Sequence, residues 1–105
     1  MSANSLFKAL SDPTRRALFE RLCREGMLSV HALTEGAGVS QPAVSKHLAQ
    51  LREAGLVRPE PQGRETFYHP EPQGLAPLAD WLKDPAAFWA GRIDRLQDLL
   101  QRMDQ

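Results

Sequence analysis

The residues best suited to chemistry lie together in one stretch, Ser40-Gln41-Pro42-Ala43-Val44-Ser45-Lys46-His47-Leu48-Ala49-Gln50-Leu51-Arg52. Val44, Leu48 and Leu51 recur at i, i+4 and i+7, the spacing of one apolar helical stripe. With that stripe turned inward, Gln41, Ala43, Ser45, Lys46, His47 and Gln50 are left for the outer surfaces. These side chains suit base-pair edges: Gln pairs with adenine, Ser with either edge, Lys with guanine or phosphate, and the Ala methyl touches a thymine methyl. The major groove of B-DNA, about 12 Å wide, admits one helix. His47 beside Lys46 suits a phosphate contact. Considered alone, the same helix also fits a structural role in a bundle.

Other chemistries find little to work with. Cys23 is the single cysteine, which excludes an intrachain disulfide and a multi-thiolate zinc site within one chain. Its bland reading is a small apolar residue of a helix, and its sharper one is a thiol sensor. His31, His47 and His69 fall on different predicted elements, whereas a metal site needs several ligands converging. No glycine-rich phosphate loop and no Gly-x-Ser-x-Gly elbow occurs. Asp80, Asp84, Asp94 and Asp98 include i, i+4 spacings that solvated helix faces share. The expectation is a protein that is not an enzyme, with no catalytic residue, no metal and no cofactor.

The elements that must position the 40–52 helix are punctuated clearly. Leu6, Phe7 and Leu10 mark a short amphipathic helix over 4–10. Asp12-Pro13 opens a second, with Asp as N-cap and Pro where its missing N–H costs nothing. Gly26 is its natural stop. Ser29 caps a third helix carrying Val30 and Leu33, which ends near Gly36-Ala37-Gly38. Ser40 is a fresh N-cap, Pro42 is tolerated in the first turn, and Gly55 terminates the fourth helix. Two short helices joined by a tight glycine turn over 29–55 have the form of a helix-turn-helix. Leu56-Val57-Arg58 and Glu65-Thr66-Phe67-Tyr68-His69 flank a turn-rich run from Pro59 to Arg64 and predict a β-hairpin, with Pro59 demoting the first arm to an edge strand. On this wing, Arg58 and Arg64 can neutralise phosphates. Helical spacing returns at Leu75, Leu78 and Leu82. A last helix is predicted over 85–103, with Trp89, Ile93, Leu96, Leu100 and Met103 spaced 4, 3, 4, 3 like a short coiled-coil seam. Trp81, Phe88 and Trp89 are the alternative lining of an apolar ligand pocket.

Length and charge frame these readings. The 105 residues allow one domain, and 13 Lys+Arg against 13 Asp+Glu give zero net charge. That balance excludes a polybasic tail or an acidic disordered activator, but DNA binding needs only a local positive face. Residues 40–64 hold four basic and two acidic side chains, while 65–105 hold four and seven, so the positive excess sits where the DNA face is predicted. With no apolar run of about 18 residues and no charged-then-apolar leader, neither a membrane span nor a signal peptide is expected. The expected location is the cytoplasm, in association with the nucleoid.

The runs Ser11–Leu22, Ser29–Val57 and above all Ser40–Val57, followed by Glu65-Thr66-Phe67-Tyr68, strongly resemble the ArsR/SmtB-type winged-helix repressors. The resemblance covers roughly residues 5–70, and the Trp81, Phe88-Trp89, Arg92 and Leu96 arrangement looks like a branch that lacks the metal boxes. Ser29-Val30-His31 stands where metal-sensing members carry a Cys-x-Cys pair, and no histidine lies in the last long helix. The fold implied is mainly α with a small β-hairpin wing, a winged helix-turn-helix in a single domain over 1–105. Residues 29–55 form the helix-turn-helix, 56–69 the wing, and 1–11 and 73–105 the helical dimerisation elements. The function implied is a homodimeric repressor on a palindromic double-stranded DNA operator, with an unknown small-molecule inducer as a further partner. Gln41, Ala43, Ser45 and Lys46 would face bases, and Ser40, His47, Arg58, Gly63 and Arg64 would position the phosphate backbone. The dimer interface would use Leu6, Leu10, Trp89, Ile93, Leu96, Leu100 and Met103. Arg15 and Arg16 suit either DNA-backbone contacts or an internal ion pair. The alternatives are a winged-helix interaction module without DNA binding, and a regulator responsive to a thiol or small ligand.

Overall fold

The computed structural model describes residues 2–83 and 96–102. Helix α1 spans Ala3–Ser11, with Ser2 as its N-cap. It ends because Asp12 precedes a proline, which disfavours helical geometry, and Asp12 is extended at φ −78°, ψ 122°. The same Asp12 starts α2, Pro13–Glu25, by accepting from the Arg15 backbone N–H at 3.0 Å. Gly26, at φ +83°, stops α2. Strand β1 is only Leu28–Ser29. Ser29 also caps α3, Val30–Thr34, accepting from the Ala32 N–H at 3.0 Å. After the glycine turn, Ser40 caps α4, Gln41–Glu53.

The fold class predicted from sequence holds: helices dominate, and a small sheet forms the wing. Two details differ. The sheet has three strands in the order β1-β3-β2, all antiparallel, because Leu28 and Ser29 pair with Tyr68 and Phe67. The predicted turn over 59–64 is instead mostly strand. Strand β2 runs Val57–Gln62, straight through both prolines, and β3 is Glu65–Pro70. Register explains this. Gln62 pairs with Glu65 across a two-residue loop, so Gln62, Glu60 and Arg58 face the ladder, while Pro59 and Pro61 turn their ring nitrogens to the open edge. Gly63 has φ +62° and Arg64 has negative φ, the arrangement of a type II′ turn.

Leu6, Leu18, Phe19, Leu22, Leu33, Val44, Leu48, Leu51, Leu56 and Val57 form one buried core. The inward stripe of α4 is therefore as predicted. Cys23 is exposed, contrary to its apolar reading, because Leu18, Phe19 and Leu22 already fill the inner face of α2. A 3₁₀ turn, Pro72–Leu75, leads into α5, Ala76–Leu82, where Leu75 and Leu78 pack on the core and Leu82 stays exposed. Of the last predicted helix, 96–102 is helical, while Trp89, Ile93 and Met103 lie outside the described residues.

Candidate nucleic-acid interface

Helix α4 is held by its neighbours before it offers anything outward. Arg21 of α2 donates from Nη1 to the Ala32 and Glu35 carbonyls, at 3.1 and 3.0 Å, and from Nε to Glu25 at 2.8 Å. It thereby satisfies carbonyls at the end of α3 that the short helix leaves open, and it pins the turn before α4 to α2. Gly36 and Gly38, at φ +78° and +75°, let the chain reverse there. Val44, Leu48 and Leu51 are fully buried, so the rotation of α4 about its axis is fixed.

The outward face follows from that rotation. Gln41, Ser45 and Lys46 are exposed, and Ala43, His47 and Gln50 are half-buried. Ser40 is exposed, and its Oγ accepts from the Ala43 N–H at 3.4 Å, which leaves its O–H free to donate. Lys46, Arg52 and Arg64 are exposed cations with no ion-pair partner among the described residues. Gly63 and Arg64 stand at the exposed tip of the β2–β3 turn.

Arg58 is not a free cation. Its Nε donates to Glu71 Oε1 at 2.9 Å, and Gln73 donates to the other oxygen of Glu71. Arg58 and then Gln73 hold the Glu71 carboxyl below the usual glutamate range. Glu60 is held low as well, first by Gln62 and then by His69. His69 Nε2 lies 3.5 Å from Glu60 Oε2 and is otherwise a buried nitrogen without a hydrogen-bond partner. The 3.5 Å geometry is an ion-pair distance, too loose for a good hydrogen bond. The base of the wing is thus a locally balanced cluster, and its tip carries the free charge.

Arg16 makes the internal ion pair that was one of its two readings, a loose one with Glu20 at 3.8 Å, and both arginines bind backbone carbonyls of α1. Arg16 donates to the Leu10 carbonyl at 2.8 Å, and Arg15 to the Ala9 carbonyl at 3.1 Å. Both close the C-terminal turn of α1. Sequence periodicity carries no signal for such contacts, since they join side chains to the backbone of a different helix.

Leu6 is part of the chain's own core, and Leu10 packs partly against it. On α1 the exposed apolar side chain is Phe7, whose ring meets Trp81 edge-on at 5.3 Å. Leu96 is half-buried, and Leu99 and Leu100 are more than half exposed. A groove of about 760 Å³ is lined by Ser5, Lys8, Asp12, Arg15, Gln50 and Glu53. Asp12 is held below the usual range, chiefly by the Arg15 backbone N–H. Partial desolvation, and then the Glu20 carboxylate, push the thiol of the exposed Cys23 up, away from thiolate reactivity. Among the described residues no three His, Cys, Asp or Glu side chains converge on a metal-sized site, and no helix is long and apolar enough to cross a membrane.

Comparison with known proteins agrees with this geometry. The family described as "Helix-turn-helix domain" matches residues 10–60. The regulator Rv2034 of Mycobacterium tuberculosis H37Rv, an HTH-type transcriptional regulator, is 43% identical over 94% of this chain and 89% of its own length. The arsenic resistance transcriptional regulator ArsR1 of Pseudomonas putida KT2440 is 40% identical over 80% of this chain and 68% of its own. Among solved structures, an ArsR family transcriptional regulator superposes with a TM-score of 0.74 at 30% identity, covering 86% of this chain and 97% of that one. A possible transcriptional regulator for arsenical resistance gives 0.71 at 38% identity, covering 88% and 92%.

Proposed function

This chain belongs to the ArsR family of helix-turn-helix transcriptional regulators, and we propose that it represses as a homodimer, each protomer placing α4 in one major groove of a palindromic operator. It is a DNA-binding repressor and not an enzyme. The observation that carries the proposed geometry is the division of α4, with Val44, Leu48 and Leu51 sealed in the core and Gln41, Ser45 and Lys46 presented outward from its first two turns.

In this reading Gln41, Ala43, Ser45 and Lys46 face bases. Ser40, His47, Gly63 and Arg64 meet the phosphate backbone, and the paired Arg58 contributes less. The two half-sites lie about one helical turn apart, and repression follows from occlusion of RNA polymerase. We assign the unknown small-molecule inducer to the open, largely polar groove between α1 and α4. The arsenic response in the name of the P. putida relative is not carried over, because Cys23 supplies one thiolate per protomer and soft metalloid sites need several.

The test is selection of duplexes from a random-sequence pool by the purified protein, followed by affinity measurement. The parent should bind a selected palindrome with strong salt dependence. Lys46→Ala should relax the preference at one base position and cost about 1–3 kcal/mol there. Unchanged preference and affinity in that variant would remove Lys46, and with it this orientation of α4.

A further inference from the structure

One side-chain link joins the end of α1 to the middle of α4 and has no part in the base contacts assigned above. The Arg15 guanidinium is anchored on α1 by donating to the Ala9 carbonyl at 3.1 Å and the Lys8 carbonyl at 3.5 Å. Its Nε donates to His47 Nδ1 at 3.4 Å. A ring nitrogen that accepts a hydrogen bond carries no proton, so the neutral imidazole must hold its proton on Nε2. His47 Nε2 has no partner among the described residues and is not sealed from solvent.

We propose that Arg15 is a positioning residue for DNA binding: it fixes His47 in the Nε2–H form, so that this N–H donates to a backbone phosphate, and it thereby sets α4 against the C-terminal end of α1. The inference rests on the placement of α4 proposed above. Its physical content is a relay of four groups: α1 carbonyl, guanidinium, imidazole, phosphate. The anchor rests on the 3.1 Å bond from Nη1 to the Ala9 carbonyl, with the Lys8 carbonyl a loose second acceptor of the same nitrogen.

The experiment is a double-mutant cycle on the duplex that the parent selects, with thermal midpoints recorded for every variant. Arg15→Met and His47→Phe should each weaken binding about tenfold, and the double variant should lose about tenfold as well, since residues acting as one unit are not additive. His47→Gln keeps an acceptor and a donor and should stay within about twofold of the parent. Arg15→Met should leave the salt slope unchanged, whereas loss of a direct phosphate contact would lower it by about one. Nitrogen-15 shifts of the His47 ring should show a protonated Nε2 in the parent and a mixed tautomer in Arg15→Met.

Additive losses, or a salt slope reduced by about one in Arg15→Met, overturn the proposal. So does a parent ring protonated on Nδ1. A lowered thermal midpoint with unchanged affinity assigns Arg15 to holding α1 alone and also overturns it. A parent that selects no duplex but shows the Nε2–H form removes the DNA-binding reading and the positioning role together, leaving only the hydrogen bond.

Discussion

Two arginines on the wing are alike in type and unlike in circumstance. Arg64 follows Gly63 at the exposed turn and has no ion-pair partner among the described residues. Arg58 sits at the base of β2 with its charge opposed by Glu71 at 2.9 Å. Salt dependence of DNA binding arises from counterions released when a protein cation neutralises a phosphate. A guanidinium already compensated by a carboxylate delivers less of that release, because its approach brings the carboxylate too. Arg64→Ala should therefore weaken binding evenly across sequences and lower the slope of log K against log salt by about one. Arg58→Ala should lower it by clearly less. Anisotropy titrations at several salt concentrations read both slopes. Equal changes in the two variants would show that Glu71 lets Arg58 go on binding, and the distinction drawn here would fail.

The 3₁₀ turn Pro72–Leu75 closes directly on the residues that follow α4. Gly55, at φ +77°, ends α4, and the Glu71 N–H donates to the Leu56 carbonyl at 2.8 Å, drawing the 3₁₀ turn onto this junction. A Cβ on Gly74 would overlap the Gly55 carbonyl, and backbone cannot swing aside as a side chain does. Gly74→Ala should cost about 1–3 kcal/mol of stability, read as a lower urea midpoint with an unchanged slope. A variant as stable as the parent would mean that this junction is looser than it stands. Nothing in the sequence around Gly74 announced that constraint, since it comes from an element remote in the chain. The caps were legible for the opposite reason: Asp12, Ser29 and Ser40 each bond an N–H three residues on, and that chemistry is local. The reading face of α4 was legible because helical periodicity alone decides which side chains turn inward. The edge position that Pro59 predicts for the first arm holds for β2, but the strand runs further than the sequence suggests, because Pro61, two residues on, turns its ring nitrogen to the same open edge. Strand β1 escaped because two residues carry no period, and the roles of Arg15 and Arg21 escaped because their partners are backbone carbonyls of other helices.

At the scale of the molecule, zero net charge resolves into an uneven field. The 40–64 region, with four basic and two acidic side chains, carries the proposed DNA face, and 65–105, with four and seven, carries the proposed meeting place of the subunits. Association through the acidic part doubles the number of basic faces without changing the total charge. Exposed apolar side chains occur at both ends of the described chain: Phe7 at 46%, Leu82 at 45%, Leu99 at 53% and Leu100 at 52%. Single exposed leucines need no explanation, but adjacent ones on a terminal helix suit a partner helix. Leu6 is the wrong residue to probe, since it fills the core and its loss would unfold the protomer. Leu100 is the better one, because half of it already faces solvent and a carboxylate there leaves the core intact. Leu100→Asp should sediment as a monomer while keeping the parent's helical content. Its affinity for a palindromic duplex should fall by about 10²-fold or more, as the second half-site ceases to be held at high effective concentration. Its affinity for a duplex carrying one half-site should match that of the parent's protomer. A variant that remains dimeric would move the interface away from the C-terminal helix, and one that is monomeric but still binds the palindrome tightly would break the link between dimerisation and operator recognition.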